Sequence, residues 1–163
     1  MKIETARLNS AEEITLALGK LQKSQYQKSD MSKDADFEFD DYAKKIFEHG
    51  IAAAIKIEDD IVGIALFYAN DTDNKAAFLS DLVVDNSYQG MGLGRKLMDE
   101  FENISRANGM EKTTLTCNID NENALGFYNK LGYYKVKKQG EKYLMAKDLS
   151  DEKIKHADTK PKV

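Results

Sequence analysis

Gln89-Gly90-Met91-Gly92-Leu93-Gly94-Arg95 sets three glycines at alternate positions between two segments of different periodicity. Before it, Ala76–Val84 reads as a strand. After it, Leu93, Leu97, Met98, Phe101, Ile104 and Ala107 fall on one side of a long helix that Gly109 closes. Alternate glycines remove the side chains that would keep a ligand away from the backbone. Successive N–H groups can then converge on an anion, and the positive end of the following helix reinforces them. A pyrophosphate suits such a loop, although a flexible strand–helix connection can look the same when read alone.

Working outward separates the kinds of phosphate loop. A Walker loop requires Gly-Lys-Ser/Thr, whereas Arg95-Lys96-Leu97 follows Gly94. A dinucleotide fingerprint requires G-x-G-x-x-G early in a βαβ unit. Here the spacing is G-x-G-x-G, and an antiparallel meander precedes it: Ile51–Ile57, a turn at Glu58-Asp59-Asp60, Ile61–Ala69, a turn at Asn70–Lys75, then Ala76–Val84. Gln89, Gly92 and Gly94 match the Gln/Arg-x-x-Gly-x-Gly/Ala pattern, and the segment resembles the cofactor loop of the GNAT superfamily of N-acetyltransferases. Two flanking blocks carry the same resemblance. Leu79-Ser80-Asp81-Leu82-Val83-Val84-Asp85 is similar to that superfamily's fourth strand. Asn121-x-x-Ala124-x-x-Phe127-Tyr128-x-x-x-Gly132-Tyr133 is similar to its fourth helix. The likeness extends from about Ile51 to Leu149.

The remaining segments fit around this centre. Ile3–Leu8 reads as a strand. Ser10 and Glu13 stand at capping-box spacing, ahead of Ile14, Ala17, Leu18 and Leu21 on one helical face. Phe39, Ala43, Ile46 and Phe47 mark a second helix that Gly50 can terminate. Thr113–Asn118 is a strand, Glu122–Leu131 a short helix, and Tyr133–Lys138 with Lys142–Lys147 a hairpin. Residues 1–149 are expected to form one α/β domain, and the polar stretch 150–163 a solvated tail.

The resemblance implies a mixed, mostly antiparallel sheet of about seven strands with helices on both faces. In that fold the strands at Ala76–Val84 and Thr113–Asn118 run parallel and splay apart. The pantetheine arm of acetyl-CoA enters the gap and pairs with the backbone of Leu82, Val83 and Val84. Gln89, Gly90, Met91, Gly92, Leu93, Gly94 and Arg95 would hold the pyrophosphate, and Asn121 would anchor the arm. The N–H of Val83 or Val84 would polarise the thioester carbonyl. Tyr128, at the family's tyrosine position, would be the general acid for the departing thiolate.

A base is less easily assigned. The attacking amine must be neutral, although a free alkylamine has a pKa of ~10, so the reaction needs a proton exit. Asp81 is the only carboxylate within an otherwise apolar strand, and its burial would require a partner or a purpose. Relatives often place a proton-relaying carboxylate on this strand, but the polyamine acetyltransferases carry it one position earlier, at Ser80. A shift of one residue turns a side chain to the opposite face unless a bulge intervenes. Water relays are the rival to Asp81.

Composition bounds the rest. The chain has 163 residues, one cysteine, two histidines and a net charge of −4. No intramolecular disulfide and no metal-ligand spacing is available. No apolar run approaches the ~20 residues that span a bilayer, and the N-terminus lacks a signal core. A cytoplasmic setting is expected, with no membrane or nucleic-acid partner, the latter because a basic stripe is missing. A homodimer stays open. Cys117 as a covalent acyl carrier is disfavoured, since a lone strand cysteine is usually a small buried hydrophobe.

Asp30, Asp34, Asp36, Glu38, Asp40 and Asp41 stand against a single Lys33. They would either favour the positive end of the second helix or attract a cationic acceptor, such as a small amine or polyamine. A protein lysine or N-terminal amine is the alternative acceptor. A non-catalytic acyl-CoA-binding module and a toxin acting on charged tRNA are the rival functions.

Overall fold

The computed structural model describes residues 2–25 and 35–149, with side chains at 2–22 and 39–149. Among these the elements run β1 (Ile3–Arg7), α1 (Ala11–Gln25), α2 (Ala35–His49), β2 (Ile51–Ile57), β3 (Asp60–Tyr68) and β4 (Ala76–Val84). Next come α3 (Leu93–Ala107), β5 (Lys112–Asn118), α4 (Glu122–Lys130), β6 (Tyr134–Gln139) and β7 (Lys142–Asp148). The strands form a seven-stranded, mostly antiparallel sheet in the order β1-β2-β3-β4-β5-β7-β6, with β4 and β5 paired in parallel. The chain divides into two compact units, Met1–Tyr68 with Ser80–Phe101, and Ala69–Leu79 with Glu102–Val163. The expected tail at 150–163 lies outside the described residues.

In the first unit the β2–β3 turn places Glu58 at φ 51° and Asp59 at φ 71°. Two successive left-handed residues match the twist of a two-residue hairpin. α1 opens on the anticipated serine: Ser10 Oγ accepts from the Glu13 N–H at 3.1 Å, while Glu13 Oε1 accepts from the Asn9 N–H, one residue before the usual capping-box partner. Ile14, Leu18 and Leu21 of α1 pack with Ala43 and Ile46 of α2 onto Ala52, Ala54, Ile64 and Leu66. Each large apolar side chain buried in this way contributes roughly 1.5–3 kcal/mol. Phe47, expected in this core, is 49% exposed. Tyr42 packs against it instead, so the buried stripe is Phe39, Tyr42, Ala43 and Ile46, a cleaner helical spacing.

The opposite face of β3 meets the start of α3. The rings of Phe67 and Phe101 lie 4.8 Å apart, and a Cβ at Gly63 would stand 3.0 Å from Leu97 Cδ1. Covered on both faces, β3 is buried continuously from Val62 to Phe67, which is why its sequence does not alternate. Gly50 ends α2 because of space: an added Cβ would approach the Phe67 carbonyl oxygen to 2.7 Å.

In the second unit β7 pairs with both β5 and β6. α4 ends in a Schellman motif. Tyr133 N–H donates to Tyr128 O and Gly132 N–H to Asn129 O, both at 3.0 Å, with Gly132 at φ 100°. The later part of α3 departs from its expected face: Ala107 is exposed, Ile104 is half-buried, and Glu102 and Ser105 are buried. Glu102 accepts from Lys147 Nζ and from the Tyr133 hydroxyl, each at 2.9 Å, and the same hydroxyl meets Thr113 Oγ1 at 2.8 Å. Burial and the Glu102 carboxylate push the Tyr133 phenol well above its ordinary range. β6 is an edge strand, exposed along its whole length, with a register shift between Lys135 and Lys137. No described helix is long and apolar enough to cross a membrane.

Candidate active site

The glycine loop forms because β4 ends where its ladder does, with Asp85 N–H donating to Val62 O at 2.8 Å. The Asp85 carboxylate then accepts from Ser87 N–H at 2.9 Å and caps a single 3-10 turn, Asn86–Tyr88. Gln89 is tied back into this turn, its Nε2 donating to Asn86 Oδ1 at 3.2 Å and to Val84 O at 3.4 Å. Its side chain braces the loop. Gly90 and Gly92 have φ of 85° and 77°, and a Cβ at either would meet nothing within 4 Å. The glycines are therefore required by backbone conformation, with open space in front of them.

Gly92 O accepts from Lys96 N–H at 3.1 Å and opens α3. The N–H groups of the first helical turn, at Leu93, Gly94 and Arg95, have no intrahelical partner. Together with the helix dipole and the exposed Arg95 and Lys96 they favour an anion. Met91 is exposed, whereas the buried Leu93 side chain pins the loop to the core and leaves only its backbone to a ligand.

Earlier on β4, Val83 is buried while Leu82 and Val84 are half-buried. Two consecutive residues, Ser80 and Asp81, both reach the Tyr42 hydroxyl: Ser80 Oγ lies in close hydrogen-bond contact, and Asp81 Oδ2 accepts from it at 3.1 Å. Consecutive side chains of a regular strand point to opposite faces, yet these two share one partner. Positions 80 and 81 thus meet at one phenol. Burial, and next the Asp81 carboxylate, push the Tyr42 pKa far above the ordinary tyrosine value. Tyr42 therefore stays protonated and donates. Sequence reading passed over it, although exchanging Phe47 for Tyr42 in the α2 stripe would have marked it.

In the second unit, Asn121 Oδ1 accepts from Ala124 N–H at 3.1 Å and caps α4. Half-buried Tyr128 stands edge-on to two rings, Phe127 at 5.1 Å and Tyr133 at 6.0 Å. Cys117 is buried, and burial pushes its thiol pKa up, away from the reactive thiolate. The parallel ladder runs from Ala76↔Lys112 to Phe78↔Thr114, whereas β4 continues to Val84 and β5 to Asn118.

A model of the acetyltransferase (GNAT) family matches residues 15–133. Glucosamine 6-phosphate N-acetyltransferase of Trypanosoma brucei brucei is 44% identical over 55 residues, which are 34% of this chain and 35% of that protein. N-alpha-acetyltransferase 30 of Schizosaccharomyces pombe is 28% identical over 71 residues, 44% of this chain and 47% of that one. The matched stretches thus span less than half of these relatives. Among solved structures, the PaiA N-acetyltransferase from Thermoplasma acidophilum in complex with coenzyme A superposes with a TM-score of 0.74 at 18% identity, over 91% of this chain and 99% of that one. At that identity the likeness is one of fold.

Proposed function

The chain belongs to the GNAT acetyltransferase family, and on that premise we propose that it transfers an acetyl group from acetyl-CoA to a primary amine by direct attack in a ternary complex. The observation that carries this reading is the glycine loop: two left-handed glycines with open space before them, leading into the first turn of α3, whose N–H groups have no intrahelical partner. Residues Gln89 to Arg95 hold the pyrophosphate, with Gln89 bracing the turn. Leu82, Val83 and Val84 offer backbone groups to the pantetheine arm, and the N–H of Val83 or Val84 polarises the thioester carbonyl. Asn121, its Oδ1 committed to the helix cap, offers its amide nitrogen to the arm.

The amine lone pair attacks the carbonyl carbon, the C–S bond breaks, the amine loses a proton and the thiolate gains one. Asp81 takes the amine's proton. Tyr128 supplies the thiolate's, a role that rests on its place in the Asn121–Tyr133 motif. Alignment of amine and thioester provides further acceleration.

The acceptor is a small cationic amine or polyamine. Asp40 and Asp41 are exposed on α2, and Asp81 is a half-buried carboxylate on β4. Asp30 and Asp34 lie outside the described residues, as do the side chains of Asp36 and Glu38. The match to an N-alpha-acetyltransferase favours a second reading, a peptide N-terminus.

The test is CoA release from acetyl-CoA with spermidine, glucosamine 6-phosphate and a short peptide with a free N-terminus. Turnover of spermidine with a KM that rises as salt shortens the screening length from ~10 Å at 0.1 M to ~3 Å at 1 M is expected. Turnover of the peptide alone would favour the second reading, and release with none of the three would overturn the catalytic one.

A further inference from the structure

Tyr42 has no place in the family motifs, yet it holds the carboxylate on which the proposed reaction depends. Its hydroxyl has one proton to give, and with the phenol kept neutral that proton goes to Asp81 Oδ2. The Ser80 hydroxyl, in contact with the same oxygen, must then be a donor to it. A directed chain results: Ser80 donates to Tyr42, and Tyr42 donates to Asp81.

The chain ties β4 to α2, and both ends are fixed. Ala43 and Ile46, fully buried on the same helix, leave Tyr42 little freedom to turn, and Val83 anchors β4 beyond Asp81 in the same core. An aspartate carboxylate turns broadly about its last torsion. A bond from a packed phenol narrows that torsion and takes part in aiming the carboxylate.

We propose that Tyr42 is a positioning residue for acetyl transfer, acting through Asp81. It rests on the reading of Asp81 as the proton acceptor. Among the described residues, Asp81 on β4 and Tyr68 on β3 both act on the Tyr42 phenol. Tyr68, itself raised by burial, is neutral near neutral pH. Tyr42 therefore stands as a constant donor while the reaction proceeds. Ser80 is the outer link, and its removal leaves the bond to Asp81 in place, with a smaller effect.

The experiment is a double-mutant cycle of Tyr42→Phe and Asp81→Asn, with Ser80→Ala beside it, using the best amine of the three tested above. Tyr42→Phe should lower kcat about tenfold, as expected when a catalytic group loses its aim. The KM for acetyl-CoA should not change. In the Asp81→Asn background the same substitution should change kcat by less than about twofold, because its effect is carried by the carboxylate. Calorimetric acetyl-CoA affinity equal to that of the wild type shows that each variant is folded.

If Asp81→Asn keeps wild-type turnover, the base assignment falls and this inference with it. If Asp81→Asn is impaired but Tyr42→Phe is not, only this inference falls. An equal loss from Tyr42→Phe in both backgrounds makes Tyr42 an independent packing residue, which also overturns it. If Tyr42→Phe does not fold, Ser80→Ala decides, with a kcat loss that must vanish on Asp81→Asn.

Discussion

At the scale of single residues the loop glycines carry the sharpest prediction. Gly92 has φ 77° and nothing within 4 Å of a notional Cβ. A side chain there is strained whatever the space, and a carboxylate would occupy the ground proposed for a pyrophosphate. Gly92→Glu should weaken acetyl-CoA binding at least tenfold, ~1.4 kcal/mol, by calorimetry. Wild-type affinity in a folded variant would remove the glycine loop as the cofactor site. Gly90 and Gly92 were legible because a left-handed backbone position leaves a local trace, a glycine. Asn121 was legible as a position, but its Oδ1 is taken up by the cap of α4. Tyr42 and Ser80 were not, because their meaning lies in a contact 38 residues apart in sequence.

At the scale of elements, periodicity located every strand and helix of the described chain to within a few residues, and missed where burial follows a partner. α3 shows both outcomes. Its first half presents Leu93, Leu97, Met98 and Phe101, all buried. Its second half buries Glu102, which any sequence pattern assigns to solvent, because Lys147 lies 45 residues away on β7. With Glu102 at 4% exposure and Lys147 at 9%, removing one charge takes away the other's buried ion-pair partner. Glu102→Gln should destabilise the protein by about 3–5 kcal/mol in urea unfolding, whereas Glu102→Leu with Lys147→Met should recover most of that. A single-mutant loss below about 1 kcal/mol would mean that solvent reaches the pair, as at a surface ion pair. The other departures have the same origin. Phe47 faces outward because Tyr42 takes its place on the stripe, and Ala107 is exposed because the helix is already turning into its Schellman end at Gly109.

At the scale of the whole molecule, the raised phenols couple stability to alkaline pH. An unfolded tyrosine loses its proton near pH 10. In the folded chain, burial and the Glu102 carboxylate hold the Tyr133 proton to higher pH, and Tyr42 behaves likewise beside Asp81. Above about pH 10 the unfolded state therefore binds fewer protons than the folded one, and stability falls as pH rises. Buried Tyr133 alone can contribute a slope of up to about 1.4 kcal/mol per pH unit. Unfolding midpoints should be level from pH 7 to 9 as far as these groups are concerned and decline beyond about pH 10. Tyr133→Phe should decline less steeply, whatever its starting stability; an unchanged slope would show that the phenol is not held from solvent. The lysines of β6 bear on a different property of the whole chain. Lys135, Lys137 and Lys138 stand on the strand that ends the sheet among the described residues, beside Tyr134 and Val136, which are 49% and 50% exposed, with Lys135 drawn over the Tyr143 ring at 4.4 Å. Ammonium groups on such an edge repel a second strand. Any chemistry that erases those charges, acetyl transfer included, would remove that repulsion and leave the edge freer to pair with a second strand.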